Sequence, residues 1–149
     1  MMHARDPHQR VDTLPSSRRV QMLAGGQVVA DSIRPLLLFE TTLPTRCYLP
    51  FEDVRTEFLE ASDTTSVCPY KGRARYWSIR GGDTLVKDAA WSYPDPIPEN
   101  PKIRDLVAFF QERVGIMVDG EELARPTTPW STAGDVAEGD ALYALHRDR

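Results

Sequence analysis

The sequence is short of the residues from which metal sites and disulfide frameworks are built. It has only two cysteines and three histidines among its 149 residues. A structural zinc site takes its ligands mainly from Cys and His, and two thiolates cannot supply a cysteine-rich set. We therefore expect no metal site and no cofactor. A Cys47–Cys68 disulfide stays open as an alternative, but reduced thiols are the expectation for a cytoplasmic protein.

Long apolar segments are absent as well. The longest wholly apolar runs, such as residues 35–39, have only five residues, whereas a membrane-spanning helix needs about 20 apolar residues. Residues 1–7 are polar and are not followed by the apolar core of a secretion signal. The sequence thus predicts a cytoplasmic protein with no membrane partner.

A positive charge balance is also missing. The chain has 18 Lys and Arg against 22 Asp and Glu, a formal charge of −4, so we expect no general binding of nucleic acid. Its length predicts one domain. By composition, residues 1–17 are predicted to be a mobile leader, residues 18–123 the folded domain, and residues 124–149 an extension with a last strand at 141–145.

Hairpin signals dominate the folded part. Gly25-Gly26 and Gly81-Gly82 each lie between runs that alternate like strands, and glycines supply the positive φ of tight turns. Further strands are predicted at 36–41, 46–49 and 116–118, with a loop at 62–66 and a stiff proline-rich connector at 92–101. Apolar spacing predicts a short helix near 51–59 and a helix near 101–114. The fold class is mainly β, built from antiparallel hairpins.

The segment from Cys68 to Gly72 has the densest chemistry. Pro69 and Gly72 predict a turn that presents Tyr70 and Lys71. If the following strand is regular, Lys71 shares a face with Arg73 and Arg75. That face is either a cationic ladder for an anionic ligand or a solvated surface. The solvated surface is favoured for Arg73 and Arg75, and both readings stay open for Lys71.

Catalytic candidates are few. Cys68 is a candidate nucleophile and Lys71 a second candidate, but activation of a thiol usually needs a partner such as histidine, and residues 10–145 contain none. A buried, unreactive thiol is the simpler interpretation of Cys68. The carboxylates of Asp83, Asp88 and Asp95 are too dispersed to indicate metal-dependent phosphoryl transfer.

An aromatic and charged set is more suggestive of a binding site. Aromatic side chains with a few polar groups typically line small-molecule pockets. The alternative is that many of them are core residues, which holds for Trp77 in particular. The predicted ligand-binding residues are Glu40, Arg46, Tyr48, Tyr70, Lys71, Tyr76, Trp91 and Tyr93.

Several of these residues lie in recognisable motifs. The motifs are Leu38-Phe39-Glu40-Thr41, Leu43 to Pro50, Cys68-Pro69-Tyr70-Lys71-Gly72, Tyr76-Trp77-Ser78, Asp88 to Pro94 and Val118-Asp119-Gly120-Glu121. Together they resemble the family called domain of unknown function 427, over about residues 20–121. Cys47 departs from the pattern, because the family usually has a second aromatic residue beside Tyr48.

The resemblance implies a β-tent, in which two antiparallel sheets lean together as in methionine sulfoxide reductase B and the ligand-binding domain of cereblon. Zinc held by paired Cys-x-x-Cys motifs in such relatives is not expected here, since this sequence has no such pair. The aromatic cage of cereblon-type domains is compatible with Tyr76, Trp91 and Tyr93 by analogy of fold. The family also carries a nucleotidyltransferase-like label, which the carboxylate spacing does not support.

We therefore expect a small-ligand-binding domain, with Arg46 and Lys71 anchoring an anionic or carbonyl-bearing group. One alternative is an enzyme, either nucleotidyltransferase-like or using Cys68 or Lys71 covalently. A second alternative is a protein-interaction module that uses the proline-rich loop 94–101. The sequence leaves the oligomeric state and any partner other than a small molecule unassigned.

Overall fold

The computed structural model describes residues 2–3 and 6–132, and side chains from Arg10 onward. Strands are the main regular structure of this part of the chain. They are β1 (Met2–His3), β2 (Asp6–Pro15), β3 (Val20–Ala24), β4 (Gln27–Ser32), β5 (Leu36–Glu40), β6 (Arg46–Tyr48), β7 (Leu59–Cys68), β8 (Gly72–Gly81), β9 (Thr84–Ser92), β10 (Val107–Phe109), β11 (Gly115–Val118) and β12 (Glu121–Glu122). The mainly-β class predicted from the sequence is confirmed.

The strands form three four-stranded antiparallel sheets rather than the expected two. The N-terminal sheet has the order β1-β2-β5-β6, the middle sheet β10-β9-β8-β7, and the outer sheet β12-β11-β3-β4. Backbone hydrogen bonds between Leu49 and Val107, 2.8 Å in both directions, join the N-terminal sheet to the middle one. The two-sheet part of the β-tent expectation is therefore wrong for this chain.

The middle sheet is buried on both faces in its central part, where the second half of β9 lies between β8 and β10. In β8, Tyr76 faces a core shared with the N-terminal sheet, and Trp77 faces a core shared with the outer sheet. In β9, Trp91 faces the core shared with the N-terminal sheet and Ala90 faces the core shared with the outer sheet. The register explains this arrangement, because Tyr76 pairs with Trp91 and Trp77 with Ala90, and directly paired residues lie on one face of an antiparallel sheet.

Burial on both faces also explains why the helix predicted near 101–114 is wrong. Its region contains a 3-10 turn at Pro101–Ile103 followed by β10. Val107 and Phe109 face the core shared with the outer sheet, while Ala108 and Phe110 face the core shared with the N-terminal sheet. A strand that is buried on both faces has a continuous apolar run, which periodicity alone cannot distinguish from a buried helix.

The short helix predicted near 51–59 is also wrong. Two 3-10 turns, Phe51–Asp53 and Thr56–Phe58, occupy this segment, and β7 begins at Leu59. Val54 interrupts the helical path because it is extended, with φ −99° and ψ 132°, and forms an isolated bridge with Ala30. The loop predicted at 62–66 lies inside β7, where a register shift falls between Ala61 and Thr65.

The ends of the chain differ from the prediction in one respect. Part of the predicted mobile leader forms β2, which pairs with β5 from Val11↔Glu40 to Pro15↔Leu36. The pairing buries Val11 in the core of the N-terminal sheet. Of the predicted C-terminal extension, the strand at 141–145 lies outside the described residues.

Both glycine hairpins are confirmed, and they meet each other. Gly25 has φ +55° and Gly82 has φ +58°. A Cβ atom at Gly81 would lie 2.0 Å from the carbonyl oxygen of Ala24, and one at Gly25 would lie 2.0 Å from that of Gly81. Glycine therefore allows the outer and middle sheets to approach at the two hairpin ends.

Candidate functional site

A narrow cleft lies between the inward faces of the N-terminal and middle sheets. Its cavity has a volume of about 30 Å³ and opens to solvent on one side. Six of the eight predicted ligand-binding residues line it. The full set is Glu40, Leu43, Pro44, Arg46, Ser66, Lys71, Tyr76, Trp91, Tyr93, Phe110 and Trp130.

Strand alternation delivers the charged residues to this cleft. Leu38 of β5 pairs with Arg46 of β6, and both are buried. Glu40 is buried as well, whereas Phe39, between Leu38 and Glu40, is exposed. Glu40 and Arg46 thus occupy inward positions that an apolar residue would normally take. A charged group at such a position needs a partner, because an unpaired buried charge is strongly unfavourable.

Lys71 has its partner in Glu40. The Nζ atom of Lys71 lies 2.5 Å from Oε1 of Glu40, with the side chains only 3% and 2% exposed. Lys71 Nζ also lies 5.8 Å from the ring centroid of Tyr93, within the range of a cation–π contact. The reading of Lys71 as part of a solvated face is therefore wrong. Arg73 and Arg75 are exposed, so that reading is confirmed for them.

The Cys68–Gly72 segment forms the predicted turn, and the proline-rich loop holds it. Lys71 N–H donates to the Cys68 carbonyl at 3.2 Å, and Gly72 has φ +120°. The Lys71 carbonyl accepts from Ile97 N–H at 3.0 Å, and the Tyr70 carbonyl accepts from the Asn100 side chain at 2.7 Å. The turn therefore presents Lys71 inward from a braced backbone.

Pro96 takes part in this bracing as well. It forms an isolated bridge with Gly72 and is buried, whereas Pro98 is exposed. The loop at 94–101 thus supports the Lys71 turn through its backbone, which gives Pro96 a structural role.

Arg46 has its partner in Glu112, which sequence reasoning did not select. Its Nη1 and Nη2 atoms donate to Oε1 and Oε2 of Glu112 at 2.6 and 2.7 Å, a bidentate geometry. Thr128 Oγ1 donates to Glu112 Oε2 at 2.6 Å. Burial raises the pKa of Glu112, but the hydrogen bonds and charge of Arg46 outweigh this, and the net pKa is lowered.

Aromatic rings form the walls between the two ion pairs. The Trp91 and Phe110 ring centroids are 4.3 Å apart, and Phe110 stacks against Tyr76 at 6.4 Å and Trp130 at 6.1 Å. The Arg46 guanidinium carbon lies 5.3 Å from the Trp91 centroid. The cleft thus combines flat apolar walls with two cationic groups.

The polar ends of these aromatics are hydrogen-bonded within the protein. Trp91 Nε1 donates to the Tyr48 hydroxyl at 3.0 Å, and the hydroxyls of Tyr76 and Ser66 are 2.6 Å apart. Tyr48 and Tyr70 are fully buried and do not line the cleft, although both belong to the core beside it. For these two tyrosines the structure supports a core role, and burial raises the pKa of Tyr48.

Both cysteines are free thiols, so the disulfide alternative is wrong. Burial is the main cause that raises the pKa of Cys68 to about 12, against a smaller lowering by Lys71. Burial likewise raises the pKa of Cys47 to about 11. Because the thiolate is the nucleophilic form, this raised pKa disfavours Cys68 as a nucleophile at neutral pH. Lys71, the second candidate, is held by Glu40 in a buried ion pair.

The remaining carboxylates considered above do not gather at the cleft. Asp88 is buried elsewhere and accepts hydrogen bonds from Ser62 at 2.5 Å and Thr64 at 2.7 Å. Asp95 is exposed. In the part of the chain that the structure describes, no group of three or more His, Cys, Asp or Glu side chains is placed to hold a metal ion.

Glu112, Phe110 and Trp130 were not predicted from the sequence, for different reasons. Glu112, the partner of Arg46, and the cleft residue Phe110 lie in the segment that was assigned to a helix, and Trp130 lies in the extension beyond the predicted domain. Trp130 carried one signal, since a large aromatic residue in a polar, proline-containing segment indicates an anchoring contact.

The three-sheet fold and the cleft define a mainly-β domain with an aromatic site that contains two buried ion pairs. The sequence pattern of the family described as Domain of unknown function (DUF427) matches residues 12–120. The chain belongs to this family, as the motifs had indicated. No curated protein matches the chain. No helix in the described residues is long and apolar enough to cross a membrane.

Proposed function

We propose that the cleft binds a small, flat, uncharged ligand that carries a carbonyl group. The observation that supports this most strongly is the convergence of Arg46, Lys71 and five aromatic rings on one cleft. Flat apolar walls with a few fixed polar groups are the usual composition of a small-molecule site. The rings would contact the faces of the ligand, and the cationic N–H groups would donate to its carbonyl oxygen.

Charge compensation favours an uncharged ligand over an anion. Each cation in the cleft is already paired with a buried carboxylate, Lys71 with Glu40 and Arg46 with Glu112. An anion that entered would meet two carboxylates as well as two cations, and would also lose its hydration. A neutral carbonyl accepts hydrogen bonds without adding charge, so the ion pairs can stay intact.

The ion pairs also give the donors fixed positions. Both ends of each salt bridge are almost fully buried, and the bidentate contact with Glu112 fixes the plane of the Arg46 guanidinium. A site that is organised before binding loses less side-chain freedom when the ligand arrives. Glu40 and Glu112 are therefore positioning residues in this proposal.

A thermal-shift comparison of benzamide and benzoate tests the proposal, because the two share a ring and differ in charge. At ten times its dissociation constant, a ligand adds about 1.4 kcal/mol to the free energy of unfolding. For a domain of this size that raises Tm by about 3–6 °C. We expect this rise with benzamide and a clearly smaller one with benzoate.

Variants that obstruct the cleft without touching the ion pairs supply the control. Leu43 is half-buried at the cleft wall, so Leu43→Trp should remove the response to benzamide. Leu85 is 47% exposed on β9, away from the cleft, and Leu85→Trp should keep it. A response to benzamide that Leu43→Trp leaves unchanged would rule out this site, and the absence of any response in the wild type would rule out this ligand class.

A further inference from the structure

The outer wall of the cleft comes from chain beyond the family match. The matched pattern ends at residue 120, whereas Trp130 lines the cleft and is only 5% exposed. We call residues 126–131 the strap. Apart from one 3-10 turn at Pro129–Ser131, the strap contains no regular element.

Hydrogen bonds within the strap close a turn at Trp130. Thr128 caps the 3-10 turn, since its Oγ1 atom accepts from Trp130 N–H at 3.1 Å and its own N–H donates to Ser131 Oγ at 2.9 Å. This capping box makes the strap a small unit that can move as one piece.

Thr128 and Trp130 join the strap to the rest of the domain. Thr128 Oγ1 donates to Glu112, the partner of Arg46. Arg113 Nε donates to the Trp130 carbonyl at 3.0 Å. The Trp130 ring stacks on Phe110 at 6.1 Å, with an interplanar angle of 26°. Loss of one anchor should therefore free the strap without unfolding the sheets beneath it.

We infer that Trp130 determines which ligands fit the cleft, and that the strap must lift for a ligand to enter. This inference rests on the proposed function for its ligand class, an uncharged aromatic carbonyl compound. With the strap closed, the cavity beneath Trp130 is about 30 Å³, well below the roughly 150 Å³ of a cavity that holds one benzene ring, so the strap has to move outward before even a single ring fits. The hydrogen bond from Thr128 to Glu112 couples the closed position to the Arg46 ion pair.

Movement of the strap can be tested without a ligand, through the exchange of indole N–H protons in NMR spectra. Trp91 Nε1–H points to Tyr48 in the core beneath the cleft, while Trp77 lies in the core on the opposite face of the middle sheet. Thr128→Ala removes a hydrogen bond to a charged group, so exchange at Trp91 should accelerate about ten- to a hundredfold. Exchange at Trp77 should stay unchanged.

Thr127→Ala is the matched control, because Thr127 is exposed in the same strap. It should leave both exchange rates at the wild-type value. Equal acceleration of indole exchange at Trp91 and Trp77 in Thr128→Ala would indicate global destabilisation, which would contradict a local movement of the strap. An unchanged rate at Trp91 would overturn it as well.

Ligand size tests the role of Trp130. Under the inference, the wild type responds to benzamide but not to 1-naphthamide, and Trp130→Ala responds to both. Equal responses to both compounds in the wild type would contradict a size limit set by Trp130. If neither compound bound either protein, the proposed ligand class and the size limit would both fail, while the exchange experiment would still decide whether the strap lifts.

Discussion

Lys71 Nζ and Glu40 Oε1 are 2.5 Å apart in an ion pair that joins the Cys68–Gly72 turn to the last residue of β5. The pair is buried between two sheets and closes one end of the aromatic cleft. Replacement of buried pairs by apolar residues is often neutral or stabilising, whereas loss of one partner is costly. This asymmetry makes the pair testable.

Lys71→Met should lower the free energy of unfolding by about 3–5 kcal/mol, because Glu40 is left buried without its cationic partner. The double variant Lys71→Met with Glu40→Leu should regain most of the lost free energy of unfolding. Urea denaturation measures both. Arg73→Met, two residues away and exposed, should change stability by less than about 0.5 kcal/mol. A double variant as unstable as the single one would contradict the assigned pairing.

Arg46→Lys should be disruptive although it keeps the charge. Lysine cannot reproduce the two parallel hydrogen bonds to Glu112. We therefore expect the free energy of unfolding, measured by urea denaturation, to fall by about 1.5–3 kcal/mol. Arg34→Lys is the matched control, since the Arg34 ion pair with Glu52 has side chains 58% and 67% exposed and should contribute little. Equal effects of the two substitutions would argue against a special role for the bidentate pair.

Cys68 should resist iodoacetamide in the folded protein at pH 7 to 9 and react fully after denaturation, as mass spectrometry can measure. Its pKa is raised to about 12, against about 8.5 in an unfolded chain. The folded state therefore holds this proton more tightly. The associated stability is fully present below pH about 8.5 and is lost as the pH rises toward 12. Labelling of the native thiol at neutral pH would reopen the covalent mechanism.

Glu112 should make the protein sensitive to acid. Its pKa is lowered in the folded state, so its contribution to stability is present above the ordinary glutamate value of about 4.3 and is lost as the pH falls through the folded value. Glu112→Gln should flatten the acid limb of stability measured by urea denaturation between pH 3 and 7. Glu121→Gln removes an exposed carboxylate and should leave that limb unchanged. An acid limb that Glu112→Gln does not alter would contradict the lowered pKa.

The local elements were readable from the sequence where turn chemistry marked them. Gly25-Gly26 and Gly81-Gly82 predicted both hairpins, and alternation predicted β8. The segment that contains β10 was misread as a helix, because apolar residues on both faces of a strand hide the period of two. How sheets stack is a matter of contacts between distant segments, and no local pattern of residues 1–17 indicated that β2 would pair with β5.

The cleft could be predicted in part. The motif residues supplied Glu40, Arg46 and Lys71, which the fold brings together with the aromatic residues Tyr76, Trp91 and Tyr93 from the same motifs. Their ion-pair partners could not be assigned, since Arg46 and Glu112 are 66 residues apart and only the folded sheets bring them into contact. Tyr48 and Tyr70 were selected by the same motifs but serve the core.

Central to the account is a cleft that holds an uncharged carbonyl ligand against Trp91. A titration of the ¹⁵N-labelled protein with benzamide, followed by ¹H–¹⁵N NMR, tests it most directly. We expect the Trp91 indole signal to shift and saturate while the Trp77 indole signal, from the opposite core, stays in place, and we expect benzoate to produce a weaker response. A Trp91 signal that does not move, or one that moves equally with benzoate, would contradict the account.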